Sequence, residues 1–135
     1  MFRILVPIKR VPDPAAKLHL SNGQPVLAGV RMVLNPYDEV ALEEAVRWRE
    51  AGQCDEVIAL NVGDACGDET LRQAIALGAN RAIRIEAYAV ETPFSVAQNI
   101  AACAKELAVQ MIICGMQSSD EESGQVGPML AALLD

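Results

Sequence analysis

The residues with most chemistry to offer fall in one stretch, Gly115-Met116-Gln117-Ser118-Ser119-Asp120-Glu121-Glu122-Ser123-Gly124-Gln125-Val126-Gly127-Pro128. It lies between a short apolar run, Met111 to Cys114, and an apolar stripe at Val126, Met129, Leu130, Leu133 and Leu134. That pattern reads as strand, loop and amphipathic helix. Gly115, Gly124 and Gly127 let backbone approach a ligand closely, and the start of the helix offers unpaired N–H groups with a partial positive charge. This is chemistry suited to a phosphate. Asp120, Glu121 and Glu122 oppose it: they repel a phosphate unless they face solvent, cap the helix or bind ribose hydroxyls, so phosphate binding and a plain acidic cap stand level. Pro128 has no N–H to donate and belongs inside the first helical turn. The helix therefore starts around Gly124 to Gly127, and Gln117 to Ser123 is loop. The stretch is neither a Walker loop nor a Gly-x-Gly-x-x-Gly fingerprint.

Other reactive residues point less clearly to a site. His19 is the single histidine and has no Ser, Cys or carboxylate at a recognisable spacing, which makes it a surface or structural residue. Cys54, Cys66, Cys103 and Cys114 form no Cys-x-x-Cys pair, so they read as four reduced thiols. Cys66 precedes a helix, a place that favours a low-pKa thiol, yet an inert one fits it better. Tyr37 and Trp48 have rings that stack, but Trp48 recurs at helical spacing and reads as packing.

The elements that position the loop follow in order. Phe2 to Ile8 is an apolar run with Pro7 near its end, the first strand. After Lys9 to Pro14, alternating residues around Ser21-Asn22-Gly23 signal a hairpin outside the main sheet. Asn35 is a cap residue, Pro36 suits the first helical position, and Asp38 lies near the positive end of the dipole. This helix runs to about Ala51 with Leu42, Ala45 and Val46 inward, Glu43 four residues before Arg47, and Gly52 as its stop. Glu56 to Val62 is the second strand, and Gly63 turns the chain. Leu71, Ala74 and Ile75 face inward on the next helix, which ends at Gly78. Arg81 to Ile85 is the third strand. A helix opened by Thr92-Pro93 carries Val96, Ile100, Cys103 and Leu107, and Met111 to Cys114 is the fourth strand. The sequence β, hairpin, α-β-α-β-α-β-α predicts an α/β fold: a parallel sheet covered on both faces, three layers deep, with its ligand site outside the carboxyl ends of the strands.

The chain has 135 residues, 52% of them hydrophobic, and no repeat or linker divides it, so residues 1–135 are expected to form one domain. A net charge of -7 argues against nucleic acid or an anionic membrane as main partner. No apolar run approaches the roughly 20 residues of a spanning helix, and the first strand begins too near Met1 for a signal peptide. A cytoplasmic location without membrane insertion is the expectation.

Four segments taken together resemble the β subunits of electron transfer flavoproteins, including the nitrogen-fixation-associated branch. They are Ile4 to Asp13, Leu34 to Ala45, Glu69 to Ala82, and Gly115 to Asp120 followed by Gly124 to Pro128. The resemblance implies an adenine nucleotide α-hydrolase-like fold of strand order 3-2-1-4-5, with AMP or FAD in the β-subunit site. It also implies a redox-active FAD shared with an α subunit in a heterodimer that carries electrons from dehydrogenase donors to a membrane or other acceptor. The β subunit then has no catalytic residue of its own, because the flavin carries the electrons. Position by position, the site falls on Pro7, on Asn35, Pro36, Tyr37 and Asp38, on Val62, and on Gly115 through Val126. AMP-type members carry Asn-Gln-Thr-Gly where this chain has Gly124-Gln-Val-Gly127, a form similar to the bifurcating and nitrogen-fixation-type branch. Asp120-Glu-Glu-Ser123 departs in turn from that branch's Asp-Gly-Asp-Thr, so AMP and FAD both stay open. Family members also continue beyond this length with a further strand and an arm that embraces the α subunit.

The alternative of another class is a stand-alone adenine-nucleotide-binding regulatory module like the universal stress proteins. Those carry Gly-x-x-Gly, nine residues, then Gly-Ser/Thr after the fourth strand, and Ser118 stands in the second glycine's place. An ATP-splitting ligase of the same fold would carry Ser-Gly-Gly where Pro7-Ile8-Lys9-Arg10 stands.

Overall fold

A computed structural model describes residues 1–87 and 90–135. Its main sheet has four parallel strands: β1 (Arg3–Pro7), β6 (Glu56–Gly63), β7 (Arg81–Glu86) and β8 (Met111–Ile112), in the order β7-β6-β1-β8. Counted as parallel strands this is 3-2-1-4. β1 and β6 lie in the middle and are continuous apolar runs, as strands buried on both faces must be.

The period-two alternation of these central strands divides the core into two layers. Ile4, Val6, Val57 and Ala59 face α1 (Pro36–Glu50) and α2 (Gly67–Ala76), meeting Leu42, Ala45, Leu71 and Ala74. Leu5, Ile58 and Leu60 face α3 (Pro93–Glu106) and α4 (Val126–Leu134), meeting Ala97, Ile100, Ala101 and Leu130. The expected three-layer α/β/α architecture is what forms. At the start of α3, Ser95 N–H donates to Thr92 Oγ1 at 3.1 Å and Thr92 N–H donates to Ser95 Oγ at 2.9 Å, a reciprocal capping box.

The hairpin after β1 is also present, as β3 (His19–Ser21) and β4 (Gln24–Val26). Asn22 and Gly23 both take positive φ, 50° and 75°, the pairing a two-residue hairpin turn needs to match strand twist. All six strand residues, His19 among them, are exposed. A second pairing was not legible: β2 (Arg10–Pro12) runs antiparallel to β5 (Met32–Leu34), with Arg10 opposite Leu34. Three-residue strands are too short for a period to register. Their consequence is positional, since they return the chain to the end of β1 and start α1 beside Lys9.

Three local expectations need correction. Arg47 pairs with Glu44, three residues before it, at 3.5 Å, and not with Glu43, four before it. Ile75 is 44% exposed, so the inward face of α2 is Leu71 and Ala74 without it. The fourth strand is Met111–Ile112 and not Met111 to Cys114. Ile113 N–H still donates to Leu5 O at 3.0 Å, but the chain then bends so that Gly115 can lie against the start of α1.

The correction to α2 is measurable by urea unfolding. Leu71→Ala is expected to cost roughly 2–5 kcal/mol, and Ile75→Ala to stay within about 0.5 kcal/mol. Equal costs would mean that both side chains face the core.

Candidate functional site

Strand β1 delivers Pro7, Ile8 and Lys9 to the carboxyl end of the sheet, between the ends of β6 and β8. There they meet the first residues of α1, α3 and α4 and the loop after β8 around a cleft of about 220 Å³. This is the crevice at the point where strand order reverses.

Asn35 fastens the cleft together. It occupies the capping position of α1, but its side chain makes no cap bond, contrary to expectation. Its backbone C=O accepts from Asp38 and Glu39 N–H, at 3.0 Å each, so the Asp38 N–H that a capping side chain would take is already satisfied. That frees the amide to reach across 82 residues of sequence: Asn35 Nδ2 donates to Gln117 O at 2.9 Å. Asn35 Oδ1 accepts from Ser119 N–H at 3.1 Å. The residue is fully buried, so both bonds are made out of water. Its own N–H donates to Lys9 O at 2.9 Å, and Lys9 N–H donates to Asp38 Oδ2 at 2.9 Å.

Lys9 decides what the loop carboxylates do. Its Nζ lies 2.9 Å from Asp120 Oδ1 and 3.4 Å from Glu121 Oε2, and 3.3 Å from Ser118 Oγ. Partial burial opposes ionisation of Asp120, yet the Lys9 and Ser118 hydrogen bonds hold its carboxyl below the usual range. Glu122 is exposed and takes a left-handed φ of 53°. Its N–H donates to Ser118 O at 3.0 Å, closing a turn. Two of the three carboxylates thus share one lysine, which offsets one of their two charges, and the third faces water.

Asp38 lies deeper. Burial pushes its carboxyl up to about 6, against the hydrogen bonds from Asn35 and from the Lys9 and Gly115 backbone that favour the charged form. Burial, with the nearby Asp38 charge second, pushes the Cys114 thiol up to about 11, which keeps it protonated and inert. Gly115 lines the cleft and also lies close against α1. A Cβ there would collide with the Asp38 carboxylate and come within 2.8 Å of Tyr37 C and 2.9 Å of Asp38 N. Its bare backbone serves contact with α1. Gly124, with φ 60°, supplies the left-handed turn into α4.

The cleft brings together Pro7, Asn35, Asp38, Val62, Gly115, Met116, Gln117, Ser118, Glu121, Ser123, Gly124, Gln125 and Val126 of the expected residues. Five others stand outside its lining. Pro36 is exposed at the start of α1; the Tyr37 hydroxyl lies 3.5 Å from Gln117 Nε2; the Ser119 hydroxyl is buried without a partner; Asp120 is held by Lys9; Glu122 faces solvent. Sequence reasoning missed Lys9, Leu60, Glu91 and the outer end of the α3 stripe, Val96 and Ile100. The same switch-point argument that singled out Pro7 applies to Lys9, two residues further on.

Chemically the cleft has an apolar wall of Leu60, Val62, Val96, Ile100 and Val126, and a polar edge of Lys9, Ser118, Ser123 and Gln125. The first-turn amides of Val126 and Gly127 have no intrahelical acceptor, whereas Pro128 at the third position has no N–H. A flat ring against the wall with a phosphate at the edge fits this arrangement. Among the described residues no group of three His, Cys, Asp or Glu is placed to hold a metal ion. No helix among them is long and apolar enough to cross a membrane.

Residues 26–135 match the electron transfer flavoprotein domain family. Over 98% of its length the chain is 42% identical to the electron transfer flavoprotein subunit beta of Bradyrhizobium diazoefficiens and 40% identical to that of Dictyostelium discoideum, covering 54% of each. It is 38% identical to the mitochondrial electron transfer flavoprotein subunit beta of Arabidopsis thaliana over 98% of the chain and 53% of that protein. The chain thus spans about half the length of the curated relatives it matches.

Two outcomes follow from the site's geometry. Asn35→Ala leaves Gln117 O and Ser119 N–H without their partner and is expected to cost on the order of 2–4 kcal/mol in urea unfolding, with faster amide exchange at residues 117–119. The Asp38 carboxyl, about 6 when folded against an ordinary value of 3.8, binds more protons in the native state between those values. Its contribution to stability is complete below pH 3.8 and is lost as pH rises to about 6. In Asp38→Asn that part of the pH dependence disappears; a stability profile parallel to the wild type would contradict the assignment.

Proposed function

Because the chain belongs to the electron transfer flavoprotein domain family, we propose that it is the nucleotide-holding part of a β subunit. In this reading residues 1–135 act as one nucleotide-binding unit, and the cleft holds the adenosine and phosphate of AMP, or the corresponding half of FAD. A flavin shared with an α subunit in a heterodimer carries the electrons, received from dehydrogenases and passed to a further acceptor. The chain's own residues bind and orient; they transfer no proton.

The observation that carries this reading is the fastening of Asn35 to Gln117 and Ser119. It holds the loop after β8 against the end of β1, leaving the apolar wall and the first turn of α4 facing one space. The side chains present fit the nucleotide. Val62 and Val126 can sandwich a planar ring, Ser118 and Ser123 offer hydroxyls, and Lys9 with the Val126 and Gly127 amides offers positive potential for a phosphate. As an electron carrier subunit, the chain needs a rigid seat for a nucleotide more than it needs a reactive side chain.

The reading is tested by native mass spectrometry of the untagged protein together with calorimetric titration of AMP and FAD. One adenine nucleotide per chain is expected. Val126→Trp, which fills the cleft from a helical position without backbone strain, is expected to weaken binding at least about tenfold. Undiminished binding in that variant would place the nucleotide elsewhere, and absence of binding in the wild type would overturn the function.

A further inference from the structure

Lys9 stands where three parts of the site meet. Its N–H donates to Asp38, its C=O accepts from Asn35 N–H, and its Nζ is shared by Asp120, Glu121 and Ser118. The side chain is 41% exposed, which puts the ammonium at the mouth of the cleft and within reach of solvent ions. Among the described residues lining the cleft it is the one Lys or Arg, while Asp38, Glu91 and Glu121 line the same space. An incoming phosphate therefore meets a single positive charge that two loop carboxylates already share. Without the ammonium, Asp120 and Glu121 would stand side by side with no counter-charge, repelling each other and any anion.

We propose that Lys9 is the positioning residue that sets the loop from Ser118 to Glu121 and, through it, limits the phosphate charge the cleft accepts. The proposal rests on the nucleotide reading above and assigns that site a ligand class. A nucleoside monophosphate or the pyrophosphate diester of a dinucleotide is admitted, and a nucleoside triphosphate is excluded. Each phosphate added beyond that brings negative charge toward Glu121 and Glu91 with no further cation to meet it. Asp120 and Glu121 are then part of the selectivity: they occupy the lysine just enough that it steadies a weakly charged ligand and fails to compensate a strongly charged one. A lysine that merely stabilised the fold would change affinity for all nucleotides alike; one that governs charge changes their ratio.

Two measurements on the same variants test this. Amide hydrogen exchange, without nucleotide, is followed for residues 117–123 in the wild type, Lys9→Met, Lys9→Arg and Asp120→Asn. Calorimetric titrations with AMP and with ATP, both in EDTA, give the affinity ratio. Lys9→Met is expected to speed exchange in that segment and to weaken AMP about tenfold, and Lys9→Arg to restore both. Asp120→Asn, with one carboxylate fewer, is expected to raise ATP affinity relative to AMP by a similar factor. Exchange in β6 serves as control: should Lys9→Met loosen the whole chain, faster exchange confined to 117–123 in Asp120→Asn carries the loop part. Unchanged exchange at 117–123 overturns the positioning role, and an AMP-to-ATP ratio that does not narrow in Asp120→Asn overturns the charge limit. A wild type that binds neither nucleotide overturns the nucleotide reading and the charge limit with it, while the exchange result still judges the loop.

Discussion

The buried amide of Asn35 is the interaction on which the rest of the site depends. A side chain with one donor end and one acceptor end, removed from water, must satisfy both, and it does so on the C=O of Gln117 and the N–H of Ser119. Those two bonds set the path of a loop that has little apolar surface of its own to hold it. They are compatible with the helix start because the Asn35 C=O already accepts the Asp38 N–H that a capping side chain would take. They also require Gly115, since any side chain there would separate the loop from α1. The start of one helix and the approach to another are in this way fixed by a single residue.

Around that amide the charges are arranged at increasing exposure. Asp38, deepest, has a carboxyl whose burial outweighs the hydrogen bonds it accepts. Asp120, nearer water, has the opposite balance and remains ionised against Lys9. The pairs at the mouth are partly solvated and are worth little as stability; their effect is on the potential a ligand meets. A site of this kind recognises and orients a cofactor, and the cofactor supplies the redox chemistry.

Much of the architecture was legible because its signals are local and repeated. The apolar runs of β1 and β6 and the helix starts at Asn35-Pro36 and Thr92-Pro93 each carry a mechanism in a few residues, as does the turn at Asn22-Gly23. The loop was legible as a place, and thirteen of its expected neighbours do line one cleft. What was not legible depends on distance in sequence. Nothing local announces that Asn35 would leave its cap to reach Gln117, or that Lys9 would pair with Asp120 and Glu121. A second constraint on Gly115 was hidden for the same reason: a glycine in a loop reads as room for a ligand, and only the third dimension shows that α1 also lies against it. Ile75 was misplaced because three apolar residues at helical spacing define a stripe but not its edges.

The most direct test of the central claim is an NMR titration of the isotopically labelled chain with AMP, reading backbone amides and the Asn35 side-chain amide together. The account predicts saturable shifts concentrated at Lys9, at Val62 and through 115–127, with the Asn35 side-chain resonance perturbed in the same titration and the β3–β4 hairpin unaffected. Shifts spread over the hairpin or confined to α2, with residues 115–127 silent, would contradict it.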